Sequence, residues 1–388
     1  MPEDWEHGGF GLYIHWPFCQ AKCPYCDFNS HVVAQIDQAA WRDAYLIEID
    51  RIGAETQGRV LKSVFFGGGT PSMMDPDLVD AILTKVRATW PMANDIEITL
   101  EANPTSVEAG RFVGYRDAGV NRVSMGIQAL NDKDLRALGR LHTTQEALTA
   151  FSTARETFDR VSFDLIYARP GQSIENWRSE LAQALEFGTD HLSLYQLTIE
   201  PGTRFETLVR KGELIPADDD HAADLFELTQ DITTAAGLPA YETSNHAKLG
   251  QESRHNLTYW RYDDYAGIGP GAHGRRLKMA TERHKKPENY LSGVERNGHG
   301  IKIENSLSPK TQAMEALLMG LRLVEGIDLA DLEVKTGLAA DQMIDDHERT
   351  ALTDLGFVKQ SGSNISVLRK GMPLLDAILP RLVSDTLA

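Results

Sequence analysis

The chain has 388 residues, 42% hydrophobic and 24% charged, and its 39 basic and 56 acidic side chains leave a formal net charge of −17. This length accommodates one large domain and a smaller one. The acidic balance argues against gripping a phosphate backbone, so no nucleic-acid partner is expected. No apolar run is long enough to span a bilayer. With clustered thiols and no secretory-type N-terminus, the reducing cytoplasm is the expected compartment.

In chain order, short apolar, β-branched runs alternate with helical patterns. A first strand is expected from Gly11 (GLYIHW), then a helix over Trp41 to Ile52 with apolar residues at helical spacing. A second strand from Leu61 (LKSVFF) runs into Gly67-Gly68-Gly69-Thr70-Pro71. Asp75 caps a helix towards Trp90, and the third strand spans Ile96 to Asn103, punctuated by Pro104. A helix from Ser106 to about Ala118 precedes strands starting at Arg122 (RVSMGIQ), Val161 (VSFDLIY) and Leu192 (LSLYQLT). Helices at about Gln145 to Thr157 and Ile174 to Phe187 separate them. Six strands alternating with helices predict a parallel sheet with right-handed crossovers. Six are too few for a closed barrel of eight, so a partial, open (β/α)6 barrel is the expected α/β fold. Beyond about Ser306, helical runs (Lys310 to Leu323, Leu329 to Thr336, Ala340 to Leu355) lead into a short polar strand, NISVLRKG. They predict a separate, mainly helical C-terminal domain with a winged-helix-like pattern.

All three cysteines lie within eight residues, as Cys19-x3-Cys23-x2-Cys26. Free cysteines are often packing residues, but such clustering fits packing poorly. An odd count without an export signal fits a disulfide poorly. Three thiolates suit one metal centre. A closed zinc site needs a fourth ligand, which His15 or His31 could supply. A cuboidal iron–sulfur cluster on three cysteines would instead keep one iron open to a substrate or cosubstrate.

This spacing, with Tyr25 just before the third cysteine, resembles the cluster motif of the radical S-adenosylmethionine (SAM) superfamily. The segments Tyr-Ile-His-Trp-Pro-Phe-Cys (from Tyr13) and Cys-Pro-Tyr-Cys-Asp-Phe (from Cys23) are similar to a narrower group. That group is the oxygen-independent coproporphyrinogen III oxidase-like family and, within it, the HemW haem-chaperone branch. The resemblance implies a TIM-like radical SAM barrel with a [4Fe-4S] cluster on Cys19, Cys23 and Cys26. It also implies SAM on the open iron, where one-electron cleavage gives methionine and a 5′-deoxyadenosyl radical.

Other unusual residues fall where the expected strands end, which is where parallel barrels gather function. Gly67-Gly68-Gly69-Thr70 is either a tight turn or a close backbone approach to a ligand. Glu101 is either a solvated carboxylate or an acceptor for a ribose or an ammonium. Gln128 ends the fourth strand, Arg140 could pair with a carboxylate, and Asp164 in an apolar strand needs a partner such as Arg140 or a backbone donor. The resemblance assigns Tyr13, Tyr25, Gly68, Gly69, Thr70, Glu101, Gln128, Arg140 and Asp164 to the SAM site. The chain departs from the family's usual Gly-Leu-Pro-Gly after the fifth strand. It has Ala168-Arg169-Pro170-Gly171, which predicts an extra cation near the pocket mouth.

Three features separate the chaperone branch from the oxidases. The oxidases' fourth cysteine is replaced by Phe28, only twelve residues precede Tyr13, and residues 255–260 read His255-Asn256-x-x-Tyr259-Trp260. This HNxxYW box is similar to the branch's signature, in which a histidine ligates haem and aromatic rings stack on it. On residue chemistry alone, packing beneath the barrel mouth is the better reading of His255 and Trp260. His246 and His273 are rival ligands, and His273 could instead reach the SAM pocket. The resemblance thus implies a haem chaperone that binds cluster, SAM and haem and serves apo-haemoproteins. A homodimer and peripheral contact with membrane-bound acceptors are left open, and oxidative decarboxylation of coproporphyrinogen III is the alternative. The expected division is residues 1–240 as partial barrel, 241–305 as barrel-completing segment with the box, and 306–388 as the C-terminal HemN/HemW-type domain.

Overall fold

The computed structural model describes residues 9–384 and residue 387. Its centre is an eleven-stranded sheet in the order β11-β10-β9-β8-β1-β2-β3-β4-β5-β6-β7. The first six strands are β1 (Phe10–Trp16), β2 (Leu61–Gly68), β3 (Met92–Ala102), β4 (Arg122–Gln128), β5 (Arg160–Tyr167) and β6 (His191–Gln196). Each pairs in parallel with the next. The helices between them include Gln38–Glu55, Pro76–Thr89, Thr144–Thr157 and Ile174–Glu186. The last two begin where Thr143 and Ser173 turn their hydroxyls onto backbone N–H groups of the first turn.

These strands alternate because their two faces meet different surroundings. Leu12, Ile14, Val64, Phe66, Ile98, Leu100, Val123, Met125, Phe163 and Leu165 share one apolar core with the helices. The opposite face carries the polar residues Thr99, Glu101, Arg122, Ser124, Ser162 and Asp164. Each fully buried Leu or Phe on the outer face is worth about 1.5–3 kcal/mol of transfer free energy, so the helical layer holds the sheet.

The sheet extends beyond the six strands read from the sequence. The added strands are β7 (Asn245–Ala247), β8 (Asp264–Ile268), β9 (His273–Arg276), β10 (Met279–Arg283) and β11 (Ile301–Ser306). Strand β8 pairs in parallel with β1, so β1 to β6, β8 and β10 run one way, and β7, β9 and β11 turn back along their neighbours. The edge strands are tied to the first helix by a buried ion pair, Arg283 Nε to Glu48 Oε2 at 3.1 Å. Two expected helices are broken. Ser106–Ala109 and Phe112–Ala118 are separate around Gly110, a weak helix former. Ala340–Met343 stops before Asp346–Asp354, where the Asp345 carboxylate caps a new helix.

A second apolar cluster gathers Leu317, Leu321, Leu332, Met343, Leu352, Ile378 and Leu379, with Phe226 and Tyr262 from earlier in the chain. A three-stranded antiparallel sheet, β12-β14-β13, flanks it: β12 (Ile327–Asp328), β13 (Val358–Ser361) and β14 (Asn364–Val367). Among the described residues, no helix is long and apolar enough to cross a membrane.

Candidate cofactor site

A cavity of about 510 Å³ opens where β2 to β6 end, within the size range of ligand pockets. Cys19, Cys23, Tyr25, Cys26, Gly68, Gly69, Thr70, Glu101, Gln128, Arg140 and Asp164 all line it. Residues separated by more than a hundred positions therefore meet in one place because each follows, or closes, a neighbouring strand.

The cluster loop is zipped to the end of β2. Gly69 N–H donates to Trp16 O at 2.7 Å and Thr70 N–H to Phe18 O at 2.8 Å. A Cβ on Gly69 would stand 2.6 Å from Phe18 O, and Gly68 has φ of +114°, so neither position suits a larger residue. The three thiols are half-buried. Thr70 Oγ1 donates to Cys19 Sγ and Arg140 Nη1 to Cys23 Sγ, each at 3.5 Å. Burial pushes the Cys19 and Cys26 thiols up from their ordinary range.

Glu101 and Asp164 face the cavity from β3 and β5. Glu101 Oε2 accepts from Gly68 N–H at 3.2 Å. Burial, reinforced by the nearby Asp164, raises the Glu101 carboxyl to about 8. Asp164 accepts from the Ser124 hydroxyl at 3.3 Å, and burial raises it to about 6. Its partners are serine hydroxyls, while Arg140 binds Asn103 Oδ1 at 2.6 Å and Gly126 O at 2.8 Å. Gln128 adopts a left-handed φ of 73°, and its Oε1 is buried without a partner. Arg140 Nε is likewise buried and unpaired. These orphaned polar atoms on the cavity wall are what a polar ligand would satisfy.

The extra cation expected from Arg169 is not available to the cavity. Arg169 is 5% exposed and locked between Glu180 and Asp134, with Nη1 also donating to Ile166 O at 3.0 Å. A buried cation seeks carboxylates rather than an open mouth.

His15 does not serve as a zinc ligand here, because Nδ1 pairs with the Tyr13 hydroxyl at 2.9 Å and Nε2–H donates to Asn29 O at 2.9 Å. Among the described residues, no three His, Cys, Asp or Glu side chains converge to hold a single ion. Thiolates bound to separate irons of a cluster need not converge, so this bears on the zinc reading alone.

Tyr13 and the HNxxYW box sit below the cavity and do not line it. The box forms the helix Arg254–Trp260, whose first N–H groups bond Glu97 Oε1. The His255 ring stacks on Phe65 at 4.0 Å and on Tyr13 at 5.7 Å, with the Tyr259 ring edge-on at 4.5 Å. Burial, helped by Arg122, lowers its pKa to about 3 and keeps it neutral. Asn256 Nδ2 donates to the Tyr241 hydroxyl at 3.1 Å, Tyr259 meets Tyr265 at 4.3 Å, and Arg322 lies over Trp260 at 5.3 Å. Of the rival ligands, His246 is buried and His273 is exposed on β9; neither lines the cavity.

Sequence reading missed Asn103, Ser124 and Tyr195, which also line the cavity. The period-two alternation Arg122-x-Ser124-x-Gly126 was the signal for Ser124.

Residues 13–183 match the model of the radical SAM superfamily, and residues 307–374 match that of the HemN C-terminal domain. A protein of Escherichia coli (strain K12) named heme chaperone HemW is 41% identical over 339 residues, 85% of this chain and 87% of that protein. Radical S-adenosyl methionine domain-containing protein 1, mitochondrial, of Bos taurus is 40% identical over 81% of this chain and 74% of its own length. The heme chaperone HemW of Bacillus subtilis (strain 168) is 31% identical over 92% of this chain and 95% of its own. The solved structure of coproporphyrinogen III oxidase (HemN) from Escherichia coli superposes with a TM-score of 0.82. It covers 96% of this chain and 89% of that one at 23% identity, a likeness of fold. Such membership implies a [4Fe-4S] cluster and SAM, and the donor set fits both: three thiols with one polar, glycine-lined cavity beside them. The chain belongs to the radical SAM superfamily and, within it, to the HemW branch of the HemN-like proteins.

Proposed function

We propose that the protein is a cytoplasmic haem chaperone that binds haem, a [4Fe-4S] cluster and SAM and delivers haem to apo-haemoproteins. The observation that supports this reading most is identity over most of the chain to relatives named as haem chaperones. Phe28 agrees with it: where the oxidases carry a fourth cysteine, this chain has an apolar ring 62% exposed at the cavity rim. With the function goes the division of the chain at 240 and 305. Oxidative decarboxylation of coproporphyrinogen III has only a likeness of fold behind it.

Cys19, Cys23 and Cys26 would hold the cluster, and Gly68, Gly69, Thr70, Glu101, Gln128, Arg140 and Asp164 would hold SAM. When bound, the two together supply one-electron cleavage of a sulfonium bond, the hard chemistry that a cofactor brings. The protein's part is to orient and to exclude water, and Glu101 also manages a proton. With its carboxyl raised to about 8, Glu101 is protonated in the free protein at pH 7. A ribose hydroxyl or an ammonium is bound more strongly by the carboxylate than by the neutral acid, which keeps only part of its acceptor capacity. SAM affinity should therefore rise with pH, by up to tenfold per unit below about 8, and level off above it. Equilibrium binding of SAM from pH 6 to 9 checks this, and Glu101→Gln should flatten the profile.

The His255 ring is enclosed by Phe65, Tyr13 and Tyr259, so haem ligation by it requires a rearrangement of this packing. As the molecule stands, the box is proposed as the floor of the barrel, the packing role that residue chemistry favours. Haem added to reconstituted protein should give a Soret band, and a retained band in His255→Ala would put the ligand outside the box. No haem uptake by the wild type would overturn the chaperone reading.

A further inference from the structure

Asn103 lies one residue past the end of β3, and its backbone N–H is held by Glu108 Oε2 at 2.8 Å and Ser72 Oγ at 3.2 Å. Its amide faces two ways. Oδ1 accepts from Arg140 Nη2 at 2.6 Å, and Nδ2 donates to Thr70 Oγ1 at 3.2 Å. The two residues it holds are the same two that donate to cysteine sulfur, Thr70 to Cys19 and Arg140 to Cys23. Those Sγ atoms stand for the thiolates of a cluster.

The direction of this network is forced. A guanidinium only donates, so the amide oxygen must face Arg140 and the amide nitrogen must face Thr70. Having accepted from Asn103, the Thr70 hydroxyl has its single proton left for Cys19 Sγ. Hydrogen bonds to cluster sulfur favour the more negative, reduced state and raise the reduction potential.

We infer that Asn103 is a positioning residue that sets the reduction potential of the cluster, by aiming the Thr70 hydroxyl and the Arg140 guanidinium at the sulfurs of Cys19 and Cys23. The inference concerns the cluster and does not depend on the haem reading. Asn103→Ala removes both holds. Asn103→Asp keeps the shape but must accept on both sides, which draws the Thr70 proton away from Cys19 and adds a negative charge.

The test is an anaerobic titration of reconstituted protein with dithionite and mediators, read by electron paramagnetic resonance of the reduced cluster. Asn103→Ala, Asn103→Asp and Thr70→Val should each lower the midpoint by roughly tenfold in the reduction equilibrium, about 59 mV for one electron. Thr70→Ser, which keeps the hydroxyl, should stay near the wild type. Asn103→Ala should add less in a Thr70→Val background than alone, because the two changes break one path. A wild-type midpoint in any of the first three variants with full iron and sulfide content overturns the inference. If the Asn103 variants lose the cluster, Thr70→Val decides on the same criterion. Exchangeable-proton couplings on the reduced wild-type cluster should vanish in part in Thr70→Val, and their absence from the wild type also overturns it.

Discussion

Cys19→Ser, Cys23→Ser and Cys26→Ser should each yield folded protein without a cluster. These three thiols are all the cysteine the chain possesses, so none can be replaced by a neighbour. Each follows β1 on one short loop, fixed at its far end where Cys19 N–H donates to His31 O at 3.0 Å and His31 N–H to Pro17 O at 2.7 Å. A cubane already short of one protein ligand has little to spare, and a serine hydroxyl is a much poorer ligand for soft iron–sulfur iron than thiolate. The fold should survive, because the three side chains are only half-buried and the apolar core lies on the other face of the sheet. Anaerobic iron and sulfide analysis, with circular dichroism beside it, reads the outcome. A full complement of iron and sulfide in any of the three would refute the assignment.

Arg169→Ala should cost about 3–5 kcal/mol of stability, the usual price of leaving a buried charge without its partner. Glu180 is 8% exposed and takes Arg169, Gln172 and the Leu130 N–H, so loss of the guanidinium leaves a buried carboxylate without the cation beside it. The same guanidinium holds Asp134 from the helix after β4, so its loss should loosen the strand-end loops of β4 and β5 together. A urea midpoint shift, followed by tryptophan fluorescence, measures this. Trp177 reports locally, since it lies in the helix that carries Glu180 and stacks on Tyr167 at 5.2 Å. An unchanged midpoint would show that Arg169 is not the anchor of this network.

The parallel half of the molecule was legible because its strands are apolar on one face and bounded by turn residues. Strand β4 begins and ends at Arg122 and Gln128, as RVSMGIQ reads. Strands β7 to β11 escaped because their identity lies in their pairing. Asn245–Ala247 has three residues and no apolar run, and it becomes a strand only against His191–Ser193. Strand β8 joins β1 from 254 residues away, as in the pairing of Phe10 with Asp264, a contact that no local pattern announces.

The site was legible in its types and less so in its partners. Eleven predicted residues meet at one cavity because strand ends are recognisable and the barrel brings them together. Which donor serves which acceptor depends on side-chain direction. Hence Asp164 is served by serines, Arg140 by Asn103 and a carbonyl, and Arg169 turns inward to Glu180. His255 teaches the same lesson. Its motif resembles a haem-binding signature, yet three rings enclose it below the cavity floor.

The most direct test of the chaperone reading runs two assays on one anaerobically reconstituted preparation. Haem-loaded protein is mixed with an apo-haemoprotein and the acceptor's spectrum followed, while a second aliquot is given coproporphyrinogen III, SAM and a reductant. The account predicts appearance of the acceptor's haem spectrum and no protoporphyrinogen. Protoporphyrinogen formation with no haem uptake would contradict it.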